Sequence, residues 1–131
     1  MPAVASAADE EPTATPHGVW TTIDDETGKA KSVVEIYERD GKLRGRVIEL
    51  LENPGATCDK CTGEQKGRPV LGMTIMWDME RDGDEWSGGK VFDPEKGKTY
   101  RGKIWLEDDD TLRLRGYSGP FFRTQTWQRA K

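Results

Sequence analysis

The two cysteines of this 131-residue chain stand three apart, as Cys58-Asp-Lys-Cys61. Three chemistries suit such a pair. In an oxidising compartment the simplest is a disulfide. A ring so short gains little from loop entropy, so its use is to shape the connection that carries it. A thiol-redox centre needs a thiolate favoured by a helix N-terminus, usually in a βαβ setting, and the surrounding pattern offers neither. A closed zinc site needs four ligands. The chain supplies two cysteines and one histidine, His17, with Asp59 or Glu64 to complete a set on paper. The reading adopted is a Cys58–Cys61 disulfide, with no metal ligand and no cofactor.

Hydrolytic chemistry has less support. His17 precedes the folded region, so a serine or cysteine nucleophile lacks a histidine base. Asp24-Asp25 and Asp108 to Asp110 fall in turns, where Asp bonds local backbone groups, and Asp93-Pro94 starts another turn. No catalytic residue is assigned, and the chain is expected not to be an enzyme.

The remaining polar candidates lie near the C-terminus. From Phe121, strict alternation places Phe121, Arg123, Gln125, Trp127 and Arg129 on one face and Phe122, Thr124, Thr126 and Gln128 on the other. If Trp127 points into a core, Arg123 and Gln125 point the same way, and buried polar groups need partners. Trp77 and Tyr100 fall on faces that alternation also turns inward. Apolar walls with a few converging polar groups are what a small-molecule pocket requires, and an inward arginine suits a carboxylate or phosphate head group. The expected ligand-binding set is therefore Trp77, Tyr100, Arg123, Gln125 and Trp127. The competing expectation is that these aromatics fill the interior and the polar pair ties strands together.

Eight short strands position these residues. Val19 to Ile23, Ser32 to Glu38 and Leu43 to Leu51 precede a long loop. Leu71 to Met79, Trp86 to Phe92 and Tyr100 to Leu106 follow it, and the pair from Thr111 to Arg129 completes the set. Met73, Ile75, Trp77 and Met79 are expected on one face. Asp40-Gly41 is the clearest hairpin signal, since both central residues of a type I′ turn need positive φ. Consecutive hairpins favour an all-β, antiparallel up-and-down meander closing as an eight-stranded barrel; a two-layer sandwich or an open curved sheet is the alternative. Closure pairs the first strand with the last, which would set Trp20 beside Arg129, its guanidinium stacked on the ring. Gly116 and Gly88-Gly89 are expected to mark bulges or bends.

Composition fits one domain. Hydrophobic and charged residues each make up 34%, so the core is small and leans on five Trp, three Tyr and three Phe. A net charge of −4 with interspersed signs gives no basic patch, so nucleic acid is not expected as a partner. No apolar run approaches the ~20 residues of a membrane span. Ala5-Ser6-Ala7 has the small-residue pattern of a secretory cleavage site. Residues 1–16 are accordingly expected to be a disordered lead-in left from a signal-peptide region, with an ordinary Ala-rich tail as the alternative, and 17–131 a single β-barrel domain.

Gly18-x-Trp20 with a late arginine resembles the calycin signature of lipocalins, fatty-acid-binding proteins and avidins. More specific are Asp40-Gly-Lys-Leu-x-Gly45, Cys58-x-x-Cys61, Pro69-Val-Leu-Gly-Met73, Gly88-Gly-Lys-Val-Phe-Asp-Pro94, Gly97-Lys-x-Tyr100, Arg115-Gly-Tyr117 and Arg123-Thr-Gln-Thr-Trp-x-Arg129. In that order they resemble the bacterial family called domain of unknown function 2147, over nearly all of the chain after Pro16. The resemblance implies a lipocalin-like barrel and a small exported protein of the bacterial envelope, periplasmic or secreted, without an established activity. Phe122 stands where the family pattern has glycine, which bears on the local turn and on access at that rim. The expected function is non-enzymatic binding of a small amphipathic or lipid-like ligand inside the barrel. The alternative is a structural or protein-interaction module of the envelope with a filled barrel, its protein partner unidentified.

Overall fold

The computed structural model describes residues 15–130; the expectations for residues 1–14 lie outside the described residues. Eight strands follow one another: β1 (Gly18–Ile23), β2 (Ala30–Arg39), β3 (Lys42–Leu50), β4 (Thr74–Asp82), β5 (Glu85–Asp93), β6 (Lys98–Asp108), β7 (Thr111–Ser118) and β8 (Phe121–Arg129). Each pairs antiparallel with the next, and β8 returns to β1, so the sheet closes as an up-and-down barrel. A single 3₁₀ turn, Gly63–Gln65, interrupts the long β3–β4 connection.

Turn chemistry sets the hairpins. Asp40 and Gly41 both take positive φ, 55° and 80°, as a type I′ turn requires. Gly119 at φ 60° precedes Pro120, whose ring fixes a negative φ, the type II′ arrangement between β7 and β8. With Gly119 carrying the positive φ, Phe122 does not disturb this turn: it pairs with Tyr117 in an unbroken ladder.

Closure rests on Gly18, Trp20 and Arg129. The β1–β8 seam aligns Trp20 with Arg129, Thr21 with Gln128 and Thr22 with Trp127. The Arg129 guanidinium lies 4.3 Å from the centre of the Trp20 ring. It donates to three backbone carbonyls, those of Asp109 (2.8 Å), His17 (2.9 Å) and Thr15 (3.1 Å). Trp20 is fully buried, and its Nε1 donates to the Pro16 carbonyl at 2.8 Å. Gly18 sits at φ 125°, and a Cβ there would meet an Arg129 nitrogen at 2.9 Å, so both conformation and space call for glycine.

The barrel interior is divided along its axis. Toward the Asp40-Gly41 end, Trp20, Val34, Ile36, Leu43, Met79, Ile104 and Leu112 pack solid. Backbones approach closely there: a Cβ on Gly102 would meet Met79 Cε at 2.7 Å. Among the aromatics only Trp20 and Trp127 are fully buried; aliphatic and Met side chains make up most of the core.

Strand β4 departs from strict alternation. Leu43 pairs with Met79 and Gly45 with Met76, so three steps on β4 face two on β3, and Asp78 takes a left-handed φ of 56°. The extra residue is a β-bulge. Met76 and Met79 therefore point inward, and Trp77, expected inward with Met79, instead pairs with exposed Lys90 on the outer face. A second expectation also changes. Gly88, at φ 79°, is a bulge on β5 as anticipated, but Gly116 sits in a regular ladder on both sides.

Candidate functional site

The other half of the barrel is open. A cavity of about 950 Å³ occupies it, bounded by the β1–β2, β3–β4, β5–β6 and β7–β8 connections. Its depth is apolar: Val47 from β3, Ile75 from β4, Val91 from β5, Tyr100 from β6, Leu114 from β7 and Trp127 from β8. Val70, from the long loop, adds to this wall. Gly116 contributes bare backbone; a Cβ there would rest 3.5 Å from Tyr100, an ordinary contact, so this glycine leaves room in the cup and relieves no clash.

Few polar groups enter this lining. Trp127 Nε1 donates to Gln125 Oε1 at 3.3 Å, two residues apart on the inward face. Opposite, Thr22 and Ser32 hydroxyls share a 2.7 Å hydrogen bond across β1 and β2. Of the residues expected to form the site, Tyr100, Arg123, Gln125 and Trp127 border the cavity, and Trp77 does not.

Arg123 has the inward parity but sits at the rim. Its Nε and Nη2 donate to Asp25 at 2.7 and 2.9 Å, and Glu26 is 3.6 Å away. The hydrogen bonds and charge of Asp25 hold its pKa above the usual arginine value. This bidentate pair ties β8 to the β1–β2 loop across the mouth. The fork expected to receive an anionic head group is therefore already occupied by a carboxylate of the chain. The signal that sequence reading lacked was the partner, which lies 98 residues away.

A second pair closes another side of the mouth. Lys31 Nζ donates to Glu95 at 2.8 Å and lies 3.8 Å from Asp24. Burial pulls the Lys31 pKa down, but the hydrogen bond and charge of Glu95, with Asp24 and Glu52, outweigh it, and the net shift is upward. Asp24 accepts the backbone N–H groups of Glu26 and Thr27, which lower its pKa. Around the mouth seven carboxylates (Asp24, Asp25, Glu26, Glu52, Asp59, Asp93, Glu95) face four cations (Lys31, Lys60, Lys96, Arg123), leaving an acidic rim.

Cys58 and Cys61 form a disulfide with both sulfurs buried. Cys58 Sγ lies 3.8 Å from the Pro94 carbonyl oxygen, and a Cβ on Gly97 would run into the Lys60 backbone. The stapled loop is thus fitted against the β5–β6 turn, where both form part of the rim. His17 lies at the opposite end of the barrel, 3.4 Å from Glu38, so it does not converge with the cysteines. No helix among the described residues is long and apolar enough to cross a membrane.

A sequence model of the bacterial family described as "Uncharacterized protein conserved in bacteria", DUF2147, matches residues 18–129. Among solved structures, the chain is similar to protein HP1028 of Helicobacter pylori, described as belonging to the lipocalin family. The TM-score is 0.79 at 22% identity, over 91% of this chain and 85% of the other, a likeness of fold. No curated protein matches the chain.

Proposed function

Since the chain belongs to the DUF2147 family of bacterial proteins, whose description names no activity, we propose a function from the barrel itself: non-enzymatic binding of a small amphipathic ligand. The observation that carries this reading is the open cavity of about 950 Å³, apolar in its depth and polar at its mouth. That volume falls in the range of small-molecule sites. The apolar part of the ligand lies against Val47, Ile75, Val91, Leu114 and Trp127. Gln125, Thr22 and Ser32 supply hydrogen bonds partway up, and the head group emerges at the rim.

The rim also bears on the head group. Arg123 and Lys31 are already paired and carboxylates outnumber cations there, so a free fatty acid meets net repulsion. The reading is a ligand whose polar end is neutral or positively charged. The disulfide, the cleavage-like Ala5-Ser6-Ala7 and the family resemblance together support an oxidising bacterial compartment, periplasmic or external, as its place of action. The solid packing at the closed end also suits the filled-barrel interaction module, but that alternative leaves the open half without a role.

The test is native mass spectrometry of protein purified from its host, followed by titration with dodecylamine, dodecanol and laurate while tryptophan emission is read. Binding that Gly116→Leu weakens supports the cup. Failure of all three probes, with no co-purifying molecule, would sink the carrier reading.

A further inference from the structure

The outer face of β4 to β8 carries residues that the interior does not use. Trp77 pairs with Lys90, Lys90 with Arg101, Arg101 with Tyr117 and Tyr117 with Phe122. One residue from each of five consecutive strands thereby falls in a single row. Two residues along the strands, and so on the same face, Lys103 pairs with Arg115 and Arg115 with Thr124. The cations lie against rings: Arg115 is 4.3 Å from the centre of Phe122 and 5.2 Å from that of Trp105, and Arg101 is 6.0 Å from Tyr117.

Three of the four cations in these two rows are not neutralised locally. Among the described residues, Lys90, Arg101 and Arg115 have no carboxylate within salt-bridge distance, and the Arg115 Nε donates to the Thr124 hydroxyl. Lys103, in the second row, is paired with Glu85, and Arg113, farther along, with Glu107. Elsewhere Arg44, Arg46 and Arg123 are each paired with a carboxylate. A chain of net charge −4, whose interspersed signs lead one to expect no basic patch, thus presents a basic stripe interleaved with aromatics on this face.

The row ends at the β7–β8 hairpin, whose Phe121 and Phe122 are 75% and 58% exposed. A soluble polyanion would satisfy the cations and leave these two rings in water. A bilayer interface takes both features, phosphates against the cations and rings in the head-group and acyl boundary. We propose that this stripe seats the barrel on a membrane surface rich in anionic phospholipid, with Phe121 and Phe122 inserted. The barrel then lies on its side, and the acidic rim is held at the edge of the contact rather than against the lipid charge. The cations of the stripe stand on the outer face, while Phe121 and Phe122 also border the mouth of the cup, so the insertion places that mouth beside the lipid.

The experiment is co-sedimentation of the full chain with vesicles of phosphatidylcholine alone and of phosphatidylcholine with phosphatidylglycerol in equal parts. Partition onto the mixed vesicles should be at least about tenfold the stronger and should fall with salt. Lys90→Ala and Arg101→Ala should each lower it about fivefold, in line with the contribution of one basic residue near an anionic surface. Phe121→Ser, at an exposed position, should weaken binding while leaving the salt dependence unchanged. Arg44→Ala, away from the stripe, should not weaken it, and thermal melts confirm that each variant is folded. Equal partition onto both vesicles, no partition onto either, or equal loss with Arg44→Ala overturns the proposal. Binding to dextran sulfate as tight as to the mixed vesicles and indifferent to Phe121→Ser also overturns it, and assigns the stripe to polyanions in solution.

Discussion

Removing the Arg129 side chain tests the closure of the barrel. The β1–β8 seam has only three paired positions, and Arg129 joins three other backbone segments at its edge. Its side chain is 28% exposed, so water reaches part of what it leaves behind. Each of the three bonds then contributes about 1 kcal/mol net, and the contact over Trp20 about 0.5–1 kcal/mol. Arg129→Ala should therefore cost about 3–4 kcal/mol. For a domain of this size the melting midpoint should drop by roughly 12 °C or more. Arg129→Lys keeps the charge and one donor but loses the planar fork, and should recover only about 1 kcal/mol. Thermal and urea unfolding of the three proteins, with the urea slope unchanged, measures both steps. A loss under about 1 kcal/mol for the alanine variant, or wild-type stability for the lysine variant, would refute the claim that the fork holds the seam.

Three further outcomes are expected. Replacing both Cys58 and Cys61 by serine should cost no more than about 2 kcal/mol, the low end of disulfide contributions, because so short a ring gains the least loop entropy. It should raise amide exchange in the β3–β4 loop and the 93–97 turn far more than in β6 and β7; uniform exchange would contradict a staple confined to the rim. Gly102→Ala should destabilise by at least about 1 kcal/mol because its Cβ meets Met79 and Val91, whereas Gly116→Ala should be nearly silent, as unfolding curves will show. Asp24 has a pKa depressed below 3.8, so its contribution to stability is present above that value and is lost as pH falls through the lower folded value. The stability difference between the wild type and Asp24→Asn should accordingly persist at pH 5 and shrink as the pH falls below 3.8; a difference that does not narrow in acid would disprove it.

Local chemistry made much of this fold legible. Asp40-Gly41 fixed one hairpin because few residues tolerate positive φ twice in succession, and Gly119-Pro120 fixed another. Alternation along β7 and β8 held without interruption, so Leu112, Leu114, Gln125 and Trp127 faced inward as their spacing indicated. In β4 the same rule failed at the bulge, since a residue inserted at Asp78 turns Trp77 outward; a second register shift follows between Gly45 and Arg46, and Ile75 lines the cavity beside inward Met76. Trp77 was misplaced for that reason. The position of Arg123 followed from alternation, but its engagement with Asp25 did not, because no local pattern reports a partner on a distant loop. The basic stripe was hidden in the same way: Lys90, Arg101 and Arg115 are scattered in sequence among acids, and only the register of four ladders brings them together.

The division of the interior follows from where side-chain volume falls along the strands. At the closed end Trp20, Met79, Ile104 and Leu112 meet across the axis, and Gly102 must be bare because no space remains. At the open end the inward positions of β1, β2 and β8 are Thr22, Ser32 and Gln125, and β7 offers Gly116. Four small or polar residues there leave the axis unfilled, whereas large aliphatics in the same places would have completed the plug. A filled module would have no use for this pattern, since each inward polar group must find a partner and the lost packing is not recovered. Thr22 and Ser32 bond each other, and Gln125 receives the Trp127 N–H, so the polar groups of the cup are held in place before any ligand arrives. That preorganisation lowers the entropic cost of binding and is the strongest reason, within this chain, to treat the open half of the barrel as a site.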